Sequence, residues 1–108
     1  MKIFKIFIVV LLFSFSLTIN LKADSEKMVL GLEVFNNKAM CGTCHVLKAA
    51  GSTGDIGPDL DSLKSSEEQV KGVVTEGLGV MPAFGEEGLL TSEEIDAVSY
   101  YVTHSSEK

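Results

Sequence analysis

The feature that most constrains this 108-residue chain is the run Cys41-Gly42-Thr43-Cys44-His45, in which an imidazole directly follows two closely spaced thiols. Thiols at this spacing can bond to both vinyl groups of one haem, and the next residue presents its imidazole to the iron. Because two thioether links hold the porphyrin against the turn, we expect His45 beneath the metal on one side. The pattern therefore predicts a fold built around one covalent haem.

Three other uses of the same residues are weaker. A structural zinc site needs four protein ligands, and His104 is the only other histidine in a chain with two cysteines. A thiol oxidoreductase places its Cys-x-x-Cys at the start of a helix in a strand-bearing fold, and no sustained alternation predicts strands here. A plain disulfide suits an exported protein but leaves the following histidine unexplained. Haem attachment accounts for all three side chains.

The amino-terminal end has the layout of a secretory signal peptide. Lys2 and Lys5 form a basic start, and residues 6–19 are apolar apart from serine and threonine. We predict that residues 1–23 are a cleaved signal peptide and that residues 24–108 form one domain in the periplasm. The alternative is a retained membrane anchor, for which the apolar run falls short of the roughly 20 residues of a spanning helix.

The predicted mature domain is strongly acidic. It holds all 15 acidic residues of the chain and six of the nine lysines, a formal charge of −9, and the chain has no arginine. The absence of a basic patch excludes nucleic acid as a partner. A basic surface on another redox protein is the natural complement, and membrane complexes are possible electron donors or acceptors.

Apolar residues recur at helical spacing in three segments, residues 25–36, 65–77 and 91–102. Ser65 with Glu68 forms a capping box at the start of the second segment. Thr91 with Glu94 forms another at the start of the third. Residues 49–63 are rich in Gly, Ser and Asp and predict an irregular loop. The predicted class is all-α, with three to four helices and long loops.

The opposite face of the iron needs a ligand or an opening, and Met81 is the best candidate ligand. It lies in a Gly-rich turn, precedes Pro82, and comes far enough after His45 for the chain to wrap around a haem. Met40 abuts the attachment motif and cannot reach across the ring, and His104 lies in the polar tail. A methionine more often only fills a core, but here the flanking glycines and proline argue for a placed side chain. A histidine and methionine pair would raise the potential and leave no vacant site.

With these residues in place, the predicted mature chain resembles the class I c-type cytochromes along its whole length. Gly31 and Phe35 match the family's Gly-x-x-x-aromatic on the first helix. Tyr100 or Tyr101 matches the aromatic on its last helix, where the two helices cross. Residues 57–60, Gly-Pro-Asp-Leu, match the loop whose proline carbonyl steadies the proximal imidazole.

The resemblance implies the cytochrome c fold and one haem c attached through Cys41 and Cys44. It also implies iron ligation by His45 and Met81, with Pro58 beside the imidazole. The site thus combines two covalent links, two axial ligands and one orienting carbonyl.

Residues 80–85, Val-Met-Pro-Ala-Phe-Gly, are similar to the distal loop of the small photosynthetic cytochromes that substitute for plastocyanin. That subgroup commonly has a glutamine eight residues before the methionine, where this chain has Val73. The departure implies a less polar haem surround and a lower reduction potential.

The predicted function is single-electron transfer between periplasmic or membrane redox partners, with no catalysis of its own. We expect a monomer or a subunit of a dehydrogenase complex. Apolar side chains are expected to border the exposed haem edge: Val46, Leu47, Val80, Ala83 and Phe84. Two alternatives stay open, a haem subunit dedicated to one periplasmic dehydrogenase and a catalytic or sensing haem with an open sixth site.

Overall fold

The computed structural model describes residues 2–106, and it describes their side chains except at residues 2, 4 and 6–19. Four α-helices lie within this range: α1 Lys2–Glu33, α2 Leu60–Leu63, α3 Glu67–Glu76 and α4 Ser92–Ser105. Two short strands form an antiparallel hairpin, β1 Val46–Leu47 and β2 Ser52–Thr53. The backbone also forms a π turn at Val34–Lys38 and 3-10 turns at Cys41–Thr43 and Lys48–Ala50. The fold is mostly helical, as predicted, with one small sheet.

The predicted first helix, residues 25–36, is the end of a longer element. α1 runs to Glu33 and then widens into the π turn. The predicted signal peptide, residues 1–23, falls mainly on side chains outside the described set, so its cleavage stays a prediction. Among the residues whose side chains are described, no helix is both long enough and apolar enough to cross a membrane.

α3 begins one residue later than predicted. Ser66 and Gln69 form its capping box, with bonds of 3.2 and 2.9 Å. The predicted pair, Ser65 and Glu68, overlaps this one in the sequence and fits the same pattern, so the pattern does not choose between them. The helix ends before Gly77, as predicted. The Gly77 N–H donates a hydrogen bond to a backbone carbonyl in the last turn of the helix.

α4 begins where its capping box predicts. The Thr91 hydroxyl accepts the Glu94 N–H at 3.2 Å, and the Glu94 carboxylate accepts the Thr91 N–H at 2.9 Å. The same carboxylate pairs with Lys38 at the end of the π turn. Its hydrogen bond with the Lys38 ammonium holds the pKa of Glu94 below its usual range. The start of α4 is therefore tied to the segment that leads into the attachment motif.

The segment predicted as an irregular loop contains part of the hairpin and a short helix, β2 and α2. Strands of two residues are too short to show period-two alternation, so the pattern could not reveal them. Ser52 secures the hairpin, because its hydroxyl accepts the Leu47 N–H at 2.9 Å and donates to the Leu47 carbonyl at 3.3 Å. β2 in turn packs against the Cys41–Thr43 turn. The hairpin thus supports the attachment motif.

α1 and α4 cross at Gly31. A Cβ atom there would clash with the carbonyl oxygen of Ala97 and the Cβ of Tyr101. One helical turn later, the rings of Phe35 and Tyr101 lie 6.1 Å apart with a tilt of 56°. Tyr101, not Tyr100, is therefore the aromatic of the crossing. The buried cluster around it consists of Val34, Phe35, Leu47, Val74, Leu90, Ile95, Val98, Tyr101 and Val102.

Replacing Gly31 with alanine is expected to lower the free energy of unfolding by about 1–3 kcal/mol, because the added methyl group forces two packed helices apart. Gly72→Ala is the matched control. Gly72 lies in α3, where a Cβ meets no atom within 4 Å, so alanine should stabilise that helix by about 0.5–1 kcal/mol. Denaturant unfolding of the purified proteins measures both changes. Equal effects of the two substitutions would contradict the close crossing.

Candidate functional site

Both cysteines and the histidine of the attachment motif lie on one tight turn. Met40 precedes it in the left-handed conformation, with φ of 52°. The N–H groups of Cys44 and His45 then bond the Cys41 carbonyl at 3.1 and 3.0 Å. The two cysteines form no disulfide with each other. The turn therefore presents two thiols and an imidazole from five consecutive residues.

The imidazole of His45 is oriented by the loop that follows the hairpin. Its Nδ1 lies 2.8 Å from the Pro58 carbonyl oxygen. Because a carbonyl only accepts, Nδ1 carries the proton and Nε2 keeps its lone pair for a metal. Gly57 lies against the ring, since a Cβ there would be 2.6 Å from Cε1, and its N–H bonds the Cys44 carbonyl at 2.7 Å. The structure thus brings Pro58 and His45 together.

Met81 lies on a separate tight turn between α3 and α4. Its N–H bonds the Leu78 carbonyl at 3.0 Å, and the Leu78 N–H bonds the Met81 carbonyl at 3.2 Å. Gly77 permits this turn with φ of 74°, and a Cβ there would lie 2.8 Å from the Met81 carbonyl oxygen. The side chains of Met81 and Cys41 both pack against the buried cluster. The turn holds Met81 in place, whereas its ligation of iron stays a prediction.

The chain is similar in sequence and in structure to known c-type cytochromes. Residues 28–102 match the family described as cytochrome c oxidase, cbb3-type, subunit III. A protein named cytochrome c6 from Microcystis aeruginosa is 36% identical over 86 residues, covering 72% of this chain and 96% of the relative. The crystal structure of the c-type cytochrome SorU from Sinorhizobium meliloti matches with a TM-score of 0.72 and 42% identity, covering 78% of this chain and 95% of SorU. This chain is a class I c-type cytochrome.

The cytochrome binds one haem c covalently through Cys41 and Cys44, and it is a small haem electron carrier. The residues present fit this group. Two thiols on one turn and an imidazole with an available Nε2 are the donor set of haem attachment. Burial raises the pKa of the Cys41 thiol to about 11, whereas a thiol used in disulfide exchange has a lowered pKa. The surroundings of Cys41 therefore argue against the thiol oxidoreductase alternative.

The apolar border predicted for the haem edge is wrong at one position. Leu47 is fully buried in the core, because β1 points successive side chains to opposite faces and only Val46 is partly exposed. Val80 is 90% exposed, and its place beside the haem edge stays a prediction. Leu78 was not part of the prediction and is 72% exposed. The Met81 turn therefore displays two large apolar side chains.

Ser52 and Asp61 stabilise the loops around the site, but nothing in the sequence indicated either role. Ser52 closes the hairpin through both of its bonds to Leu47. Asp61, only 7% exposed, accepts the Lys48 N–H on Oδ2 at 3.0 Å. Serine and aspartate are mostly exposed residues, so nothing in a polar loop indicates that one of them is buried. Only the tertiary structure reveals their roles.

Gly57→Ala is expected to displace the His45 ring, because the added methyl group would overlap Cε1 and Nδ1. We expect a loss of about 1–3 kcal/mol in the free energy of unfolding of the holoprotein and a changed reduction potential. Ile56→Ala is the control, since Ile56 lies in the same loop and is 67% exposed. It should change stability by less than about 0.5 kcal/mol. Unchanged stability and potential in Gly57→Ala would disprove the close packing of this ring.

Proposed function

We propose that the cytochrome is an exported single-electron carrier whose haem iron is held between His45 and Met81. The bound haem supplies the one-electron chemistry. The observation that carries the proposal is the bond from Nδ1 of His45 to the Pro58 carbonyl, which leaves Nε2 available to the metal. Together, His45 and Met81 would hold the haem iron without an open position for substrate, so the haem would supply electron transfer only.

Met81 is the proposed second ligand because its turn is closed by the backbone. The two bonds between Met81 and Leu78 fix the turn, and Pro82 follows it directly. A preformed turn loses little conformational entropy when its side chain binds a metal. A thioether ligand also raises the reduction potential, which suits an electron carrier.

The proposed docking face is a cleft of about 650 Å³ beside Met81. Its lining includes two carboxylates, Glu76 and Glu87, and no basic residue. Leu78 and Val80 belong to the same lining and are largely exposed. Exposed apolar groups next to carboxylates complement an apolar contact surface surrounded by Lys and Arg. The proposed partners are therefore basic redox proteins, either soluble or part of membrane complexes.

Export to the periplasm is proposed from the basic start and apolar run of the amino-terminal segment. Cleavage after residue 23 would release a monomer of residues 24–108, whereas retention of the segment would anchor the domain to the membrane. Amino-terminal sequencing of the protein from its own cells distinguishes the two.

A second candidate function is that of a haem subunit dedicated to one larger enzyme, such as a periplasmic dehydrogenase. The description of the matched family as a subunit of an oxidase favours this candidate. Exposure of Leu78 and Val80 supports it as well, since a permanent interface is more apolar than a transient one. Co-purification with a large catalytic subunit at moderate salt would favour the subunit over the shuttle.

Met81→Ala is expected to leave a folded protein whose ferrous haem binds carbon monoxide rapidly, because the iron loses its distal ligand. The absorption band in the red that marks methionine ligation should disappear. Met40→Ala is the control, since Met40 precedes the attachment motif and is 61% exposed, and it should keep the band. If the unmutated protein bound carbon monoxide as fast as the Met81 variant, the result would favour a catalytic or sensing haem.

Reversal of both cleft carboxylates, Glu76→Lys with Glu87→Lys, is expected to slow electron transfer with a small cationic reagent about three- to tenfold at low salt. The cleft would then repel the cationic reagent that it normally attracts. Added salt screens this interaction and should reduce the difference in rate between the variant and the unmutated protein. The control is Asp24→Lys with Glu26→Lys, which changes the net charge equally at exposed positions of α1. Stopped-flow rates compare the two variants. Equal slowing would show that only net charge acts and would contradict a local docking face.

A further inference from the structure

We propose that Asp61 is a positioning residue for the iron, whose buried carboxylate keeps the Pro58 carbonyl on Nδ1 of His45 and so sets the reduction potential. The inference rests on the proposed ligation of the iron by His45. Asp61 acts through the loop that carries Pro58. Its role is therefore to orient a ligand.

Two contacts join the segment after Cys44 to the segment that contains Pro58. Nδ1 of His45 donates to the Pro58 carbonyl at 2.8 Å, and the Lys48 N–H donates to Oδ2 of Asp61 at 3.0 Å. Each contact joins residues 13 apart in the sequence. The two segments therefore lie side by side in one register, with the imidazole contact at one end and the carboxylate contact at the other.

The burial of Asp61 indicates that its contact is a strong one. A carboxylate with 7% exposure is costly to bury unless it accepts hydrogen bonds. A bond from an N–H group to a carboxylate is roughly twice as strong as one between neutral groups. The bonded N–H belongs to Lys48, the first residue of a 3-10 turn, where backbone N–H groups have no partner within the turn. The carboxylate thus clamps α2 to the segment that leaves the attachment motif.

The loop is held on both sides of Pro58. Before it, the Gly57 N–H bonds the Cys44 carbonyl at 2.7 Å. After it, Asp59 caps α2 by accepting the Asp61 N–H at 2.9 Å, which couples the clamp directly to the residue next to Pro58. Loss of the Asp61 carboxylate would keep the Asp59 cap but remove the bond to the Lys48 N–H, so the segment after Pro58 would be held less firmly.

A looser Pro58 carbonyl changes the iron through the imidazole. The bond at Nδ1 makes His45 a more basic donor at Nε2, and a more basic ligand stabilises ferric iron. If Asp61 is removed, this bond lengthens, donation weakens, and the equilibrium shifts towards the ferrous form. The expected direction is therefore a higher reduction potential.

Three variants of the holoprotein separate the hydrogen bond from the charge. Asp61→Ala removes both, whereas Asp61→Asn keeps an oxygen that accepts the Lys48 N–H and removes only the charge. Asp55→Ala removes a carboxylate at an exposed position of the same loop. The readouts are the equilibrium with a redox couple of known potential and the solvent exchange rate of the His45 Nδ1 proton, measured by NMR on the ferrous protein.

Asp61→Ala should speed exchange of the Nδ1 proton about fivefold or more, the equivalent of one lost hydrogen bond, and should shift the redox equilibrium several-fold towards the ferrous form. Asp55→Ala should stay within about twofold of the unmutated protein. Asp61→Asn should change both readouts less than Asp61→Ala does, because its neutral oxygen still accepts the Lys48 N–H in a bond about half as strong. If Asp61→Ala does not mature, Asp61→Gln replaces it, because the added methylene displaces the accepting oxygen.

An equal shift in Asp61→Asn overturns the proposal, since charge and not the hydrogen bond would then be responsible. Unchanged exchange and redox equilibrium in Asp61→Ala also overturn it. If the His45 ring protons of the unmutated protein show no shift caused by the haem, the proposed ligation is wrong, and this failure is distinct from that of Asp61.

Discussion

The close approach of α1 and α4 at Gly31 is the contact on which the other parts of this cytochrome depend. α1 leads through the π turn into the attachment motif, and the Met81 turn lies in the connection from α3 to α4. The crossing therefore fixes the starting points of the two segments that carry the proposed iron ligands. The ion pair of Lys38 and Glu94 adds a second tie between the π turn and α4. Helix packing thus positions both ends of the site before the loops contribute.

The covalent haem completes a core that side chains alone leave small. The buried cluster lies around the helix crossing. A domain of this size buries a modest fraction of its surface and is marginally stable without a further crosslink or cofactor. A haem linked at two points supplies apolar area and also connects two places on the attachment turn.

Features that depend on local chemistry could be predicted from the sequence, and features that depend on tertiary contacts could not. The capping box at Thr91 gave the start of α4 because it needs only two side chains three residues apart. The same pattern left the start of α3 uncertain by one residue, since two boxes overlap there. The choice between Tyr100 and Tyr101 depends on which face of α4 meets Gly31. The attachment motif could be predicted, but the buried Asp61 that joins its loops could not.

The two proposed iron ligands, His45 and Met81, are supported by contacts from different parts of the chain. The hydrogen bonds that support His45 come from the loop at residues 57–61, through Pro58 directly and through Gly57 and Asp61 on either side of it. Met81 instead sits on a turn that also displays apolar side chains in the acidic cleft. A partner bound in the cleft would touch the element that holds the thioether and would leave the loop behind the imidazole free. On the proposed roles, substitutions around Asp61 would change the reduction potential and leave the proposed docking face unaltered, whereas substitutions in the cleft would change partner binding and leave the bond between His45 and Pro58 unaltered.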